Sequence, residues 1–179
     1  MAGDPSDGER PLVSRRHGYH RLAMSEAARL EWGSCDPRVE PASGLIGAMV
    51  AEMRELYDIE GHVGVPLELE EMAPPGGVYL VGRMGVEVVA GGGLRTIGER
   101  LGEIKRMYVV PSSRGAGVGA VLLGGLEGAA RDLGMTRVRL DTGTRQAVAR
   151  RLYERSGYAS IGNYNSNVHA AFWGEKLLA

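Results

Sequence analysis

Between an apolar run ending Met107-Tyr108-Val109-Val110-Pro111 and an amphipathic helical pattern from Val118 onward sits the segment Arg114-Gly115-Ala116-Gly117-Val118-Gly119-Ala120. Glycines allow successive backbone N–H groups to converge without Cβ obstruction, and the following helix adds the positive end of its dipole at the same place. This geometry builds an anion site, and a phosphate-bearing ligand is the first expectation. A strand, a glycine turn and a helix in this order also require a sheet for the strand and a face for the helix to cover.

The bulk of the chain fits one such layered unit. Its 179 residues, 44% apolar and 24% charged, suffice for one core. No segment reaches the roughly 20 apolar residues that span a bilayer, and no secretory leader pattern opens the chain. A cytoplasmic location with no membrane partner is therefore expected. Cys35 is the single cysteine and has no internal disulfide partner, and His17, His20, His62 and His169 lack metal-ligand spacing, so no metal is expected. A net charge of −1 argues against nucleic acid as a partner. The charge is uneven: between Gly102 and Arg151 nine cations face four acids. That excess reads either as solvated faces or as attraction for a polyanionic small molecule.

Residues 1–26 show no sustained period and read as a mobile extension, leaving residues 27–179 as the folded domain. Ala28 to Trp32 predicts a first strand, and the spacing of Leu45, Ile46, Met49, Val50, Met53 and Leu56 predicts a helix over Ser43–Tyr57, ended by Gly61 and Gly64. Val78–Val81 and Val86–Gly91, joined by Arg83-Met84-Gly85, predict an antiparallel hairpin. Gly91-Gly92-Gly93 reads as a bulge, a close backbone approach or a loop. A strand over Gly102–Val110, a helix from Val118 with Gly134 as its stop, a strand over Arg137–Asp141 and a helix over Gln146–Arg155 follow. Tyr158–Ile161 and Ala170–Leu178 are the last β-like stretches. Within the glycine-loop helix, Gly124, Gly125 and Gly128 each cost about 1 kcal/mol relative to alanine, so close packing is expected there.

Three phosphate solutions compete. A P-loop needs a Lys-Ser or Lys-Thr that is absent after these glycines. The dinucleotide fingerprint is met by Gly115, Gly117 and Ala120, with Asp141 as the ribose acid, but Pro111-Ser112-Ser113-Arg114 widens the turn and a hairpin precedes it. In the third, Arg114-x-x-Gly117-x-Gly119-Ala120 resembles the R/Q-x-x-G-x-G/A motif of the GNAT superfamily of acyl-CoA-dependent N-acetyltransferases. Gln146-x-x-Ala149-x-x-Leu152-Tyr153-x-x-x-Gly157-Tyr158 resembles that family's second signature, with Gln146 where many members carry Asn.

The resemblance implies an α/β (α+β) fold: a central mixed, mostly antiparallel twisted sheet of six to seven strands, flanked by helices, with a splayed parallel strand pair. It also implies acetyl-CoA as cosubstrate, held by Met107, Tyr108, Val109, Arg114, Gly115, Ala116, Gly117, Val118, Gly119, Ala120, Gln146 and Tyr153. The implied reaction is direct attack of a neutral amine on the thioester, with Glu103 as base and Tyr153 as proton donor to the thiolate. A groove lined by Arg95, Tyr57, Tyr79, Tyr164 and Asn165 would take the acceptor, a small molecule or a peptide. A non-catalytic acyl-CoA sensor is the alternative, and a homodimer is compatible with the exposed sheet edges.

Overall fold

The computed structural model describes residues 30–60 and 67–178. The extension over residues 1–26, His17, His20 and His62, and the helix stops at Gly61 and Gly64 lie outside the described residues.

Seven strands form one sheet in the order β1-β2-β3-β4-β5-β7-β6. They are β1 (Leu30–Ser34), β2 (Gly77–Met84), β3 (Glu87–Gly98), β4 (Leu101–Val109), β5 (Arg137–Gly143), β6 (Ala159–Ser160) and β7 (Ala170–Leu177). Every pairing is antiparallel except β4 with β5. The helices are α1 (Ala42–Tyr57), α2 (Val118–Asp132) and α3 (Ala147–Arg155).

The expected elements are present with shifted ends. β1 runs to Ser34 instead of ending at Trp32. α1 stops at Asp58, whose left-handed φ of 54° turns its N–H back onto the Arg54 and Glu55 carbonyls. The hairpin turn is the two-residue loop Gly85-Val86, because Met84 pairs with Glu87 and Gly85 supplies the positive φ of 60° that such loops require. β6 keeps only two residues of the expected Tyr158–Ile161 run.

The two faces of the sheet carry separate apolar clusters. Leu122, Leu123, Leu126 and Ala130 of α2 pack on Leu94, Val138 and Leu140. Burying each leucine contributes about 1.5–3 kcal/mol, which anchors the helix whose N-terminus faces the glycine loop. On the other face Ala42, Leu45 and Ile46 of α1 pack with Met72, Tyr79 and Val81. The consecutive glycines Gly91, Gly92 and Gly93 of β3 are what let these layers approach. A Cβ on Gly91 would lie 2.7 Å from Leu45 of α1, and one on Gly92 would lie 3.0 Å from Leu126 of α2.

Gly91-Gly92-Gly93 stays within a continuous strand, and the bulge is on its neighbour. Gly91 pairs with Tyr108 and Gly93 with Lys105, so Gly92 faces both Arg106 and Met107 of β4. Arg106 takes the extra residue's strain with a left-handed φ of 55°. The expected packing of the α2 glycines is corrected too. Gly125 meets Leu80, but nothing lies within 4 Å of a Cβ on Gly124 or Gly128.

Candidate active site

The parallel ladder between β4 and β5 is short. Leu101, Gly102 and Glu103 pair with Arg137, Val138 and Arg139, and the ladder stops there. β5 continues to pair with β7 as far as Gly143, while β4 bends away at the Arg106 bulge. The β5-facing edge of β4 beyond Glu103 is thus left without a strand partner, the divergence anticipated for Met107, Tyr108 and Val109. A cavity of about 130 Å³ fills the wedge, lined by Ile104–Met107 of β4, Asp141–Gly143 of β5, Met49, Met53 and Tyr57 of α1, Gln146 and Tyr153.

At the end of β4 the chain turns through Pro111–Ser113 into the glycine loop. Gly115 and Gly117 take φ values of 81° and 83°, and Gly117 caps α2. The N–H groups of Gly115, Ala116, Gly117, Val118 and Gly119 meet no backbone carbonyl among the described residues, and the first loop-to-helix bond is donated by Ala120 N to Gly117 O at 3.0 Å. Consecutive free amides at a helix N-terminus form an anion cradle. Arg114 is held beside it: its Nε donates to the Val109 carbonyl at 2.9 Å, its Nη2 pairs with Glu52 of α1 at 2.6 Å, and its guanidinium lies 5.4 Å from the Tyr108 ring centroid.

Tyr153 comes up from α3 into the wedge. Its ring is buried against Tyr158, and its hydroxyl donates to the Met107 thioether at 3.8 Å, a weak acceptor that a better one displaces. Burial first, and the Asp141 carboxylate second, push its pKa well above the ordinary phenol value, so the group stays a donor throughout the working pH range. Gln146 spends its carbonyl on the β5–α3 turn, accepting from Gly143 N at 2.8 Å and Thr142 Oγ1 at 3.1 Å. Its amide reaches Met53 Sδ at 3.3 Å on the cavity side.

The groups expected to bind the acceptor divide into three. Tyr57 lines the cavity, and its hydroxyl accepts from Arg145 N at 3.1 Å. Tyr79 is fully buried in the α1-side cluster, away from the lining. Arg95, Tyr164 and Asn165 all close on Glu103. Gly102 faces Met135 and Leu94, so alternation along the strand turns Glu103 to the α1 side. There its carboxylate is fully buried, paired with Arg95 at 2.7 Å and Lys105 at 3.3 Å. It also accepts from Tyr164 Oη at 2.7 Å and Asn165 Nδ2 at 3.2 Å. Burial opposes its ionisation, but Lys105, Tyr164 and Arg95 outweigh that and hold its pKa below the ordinary carboxylate value. The second Arg95 arm is spent on Glu71 at 2.7 Å.

The sequence offers Asp141 only as a ribose acid. The structure puts it on β5 at the cavity, bonded to Lys105 Nζ at 3.1 Å and Asn167 Nδ2 at 3.2 Å, and to Asn165 Nδ2. No sequence signal marks this role, because it depends on how β4 and β5 pair. The loop supplying Tyr164, Asn165 and Asn167 is tied down in turn, with Trp173 Nε1 donating to Asn165 Oδ1 at 3.1 Å. No cluster of three or more metal-ligating side chains occurs among the described residues, and no described helix is long and apolar enough to cross a membrane.

A free-amide cradle, a splayed parallel pair and a buried tyrosine between them can hold a long phosphorylated thioester with its sulfur near Tyr153. The acetyltransferase (GNAT) family model matches residues 47–158. An IAA acetyltransferase of Azospirillum brasilense is 37% identical over 122 residues, 67% of this chain and 78% of that protein. Among solved structures, a candidate acyl-CoA N-acyltransferase from Klebsiella pneumoniae superposes with a TM-score of 0.71 at 29% identity, over 85% of this chain and 99% of that one. The PaiA N-acetyltransferase of Thermoplasma acidophilum, solved in complex with coenzyme A, shares the fold with a TM-score of 0.61 at 17% identity, over 83% and 98%. The chain belongs to the GNAT acetyltransferase family.

Proposed function

We propose that this protein transfers an acetyl group from acetyl-CoA directly to a primary amine. The observation that carries the reading is the wedge between β4 and β5, with free amides at its loop end and the Tyr153 hydroxyl in its wall. The amides of Gly115–Gly119 and the α2 dipole take the pyrophosphate. The open edge of β4 at Met107–Val109 takes the pantetheine arm as an added strand, and Gln146 offers its amide from the opposite side.

In the reaction the amine nitrogen bonds to the thioester carbonyl carbon, the C–S bond breaks, and the thiolate leaves while the second proton of the nitrogen passes to the departing sulfur or to water. An alkyl amine has a pKa of about 10.4, so it must first give up a proton. Glu103 is a poor acceptor for it, because its fully buried carboxylate does not reach the cavity and four donors hold it. Asp141 reaches the cavity and takes that proton, through water where the amine is not adjacent. Glu103 becomes a positioning residue that fixes Lys105 and the 163–167 loop. Tyr153 donates a hydrogen bond to the departing sulfur. A cysteine-type thiol ionises at about 8.5, below this phenol, so the bond stabilises the thiolate without full proton transfer.

Thiol release from acetyl-CoA across amines, amino acids and peptides tests the reading. Turnover on at least one acceptor is expected, with Tyr153→Phe lowering kcat about 10- to 100-fold and leaving the KM for acetyl-CoA unchanged. Tight CoA binding without turnover on any acceptor makes the protein an acyl-CoA-binding module instead.

A further inference from the structure

Around the wedge nearly every charged side chain is spent on another. Arg95 and Lys105 hold Glu103, Lys105 also holds Asp141, Arg114 holds Glu52, and Arg139 holds Glu175 at 2.7 Å. Arg106 is the exception. It lines the cavity beside Met49 and Met53 and is only partly exposed, yet it makes no hydrogen bond or ion pair among the described residues. The electrostatic neighbour it does have is the neutral phenol of Tyr79, whose own hydroxyl is unpartnered. Removal from water works against its charge.

A half-buried guanidinium facing methionines costs free energy unless an anion meets it. The backbone is strained to aim it: Arg106 is the left-handed residue of the bulge, and an extra residue in one strand redirects the side chain there. The coenzyme's phosphates are not that anion, because their cradle is the 115–119 loop, and three further residues of β4, about 10 Å, separate Arg106 from the strand's end. Arg106 instead faces α1 and Tyr79, the side on which Tyr57 and Asp141 also meet the cavity. A guanidinium fork matches a carboxylate bidentately.

We infer that Arg106 binds a carboxylate of the acceptor, so that the substrate class is a small amine carrying a carboxylate, as an amino acid does. The inference rests on the acetyl-transfer reading above. Arg95, the arginine expected in the acceptor groove, is already neutralised by Glu103 and Glu71.

The test compares amino acids with the matching amines that lack the carboxylate, using the full chain and acetyl-CoA. The wild type is expected to favour the carboxylate member by at least about tenfold in kcat/KM. Arg106→Gln should bring that ratio to about one through acceptor KM, leaving the acetyl-CoA KM alone, while Arg106→Lys keeps part of it and Arg95→Gln keeps the ratio. A ratio near one in the wild type overturns the inference, as does a ratio that survives Arg106→Gln. So does a preference for succinyl-CoA that Arg106→Gln abolishes, which assigns the guanidinium to the acyl group. If no pair turns over, calorimetric titration of the same amino acids into the CoA-loaded protein decides. Tighter binding to wild type than to Arg106→Gln supports the inference, and equal or absent binding overturns it. Failure of the acetyl-transfer reading shows separately, as absence of thiol release from acetyl-CoA with every acceptor.

Discussion

Two stretches of β4, only a few residues apart, treat their polar groups in opposite ways. From Leu101 to Glu103 the strand is zipped to β5, and the Glu103 carboxylate is buried and met by four donors. From Arg106 to Val109 the strand has left β5, and Arg106 and the open edge are left over. In a protein interior, saturated polar groups hold a shape, whereas unsaturated ones are costly unless something else completes them. In the proposed function the chemistry therefore belongs on the open side of the bulge, even though the closed side holds the more conspicuous carboxylate.

Exchanging the two carboxylates one at a time breaks or sharpens this contrast. Asp141→Asn keeps the side-chain shape beside Lys105 and removes the proton acceptor, so kcat should fall about 10²- to 10⁴-fold, while loss of the buried Lys105–Asp141 pair lowers the melting temperature as well. Initial rates across pH, alongside thermal melts, check it. If Glu103→Gln costs more kcat than Asp141→Asn, the base returns to Glu103 and the contrast is lost.

Glu103→Gln should instead act on stability. It leaves Arg95 and Lys105, with side chains 14% and 11% exposed, without their shared anion. Arg95 keeps Glu71 and Lys105 keeps Asp141, so the cost is about 1–3 kcal/mol, below that of a fully orphaned buried charge, and measurable by urea unfolding. The sign with pH follows from the lowered Glu103 pKa. Stability from this group is fully present above the ordinary value of 4.5 and is lost as pH falls through the depressed folded-state value. Wild type should therefore lose stability on acidification more steeply than Glu103→Gln, and parallel acid curves would show that the cluster holds no linkage.

Much of this architecture is legible in the amino-acid sequence. The helical period of α1, the hairpin, and the two glycine-bearing signatures mark local chemistry, and local chemistry is what a sequence displays directly. The splay was expected too, through the resemblance. The roles of the charged residues were not readable, because they depend on register. Glu103, Lys105 and Asp141 look alike as strand-borne charges until pairing decides that Glu103 is enclosed and Asp141 meets the cavity. Arg95 and Arg106 are likewise both strand arginines, separated in role by a one-residue bulge that sits on β4 although the suggestive glycines are on β3. Tyr79 falls on the inner side of the alternation, where a hydroxyl is enclosed.

The smallest expected effect extends the same contrast to glycine. At Gly117 there is room for a Cβ, yet its φ of 83° excludes an ordinary L side chain, so that glycine belongs to the cradle. Gly124 and Gly128 also have room, but they lie inside α2 in helical conformation and carry no such constraint. Alanine at either position should stabilise the protein by about 0.5–1 kcal/mol through backbone entropy, raising the melting temperature and leaving acetyl-CoA KM unchanged. A destabilising Gly124→Ala or Gly128→Ala would mean that this face of α2 is covered by something that needs it bare, which would move the line between used and unused glycines from the loop into the helix.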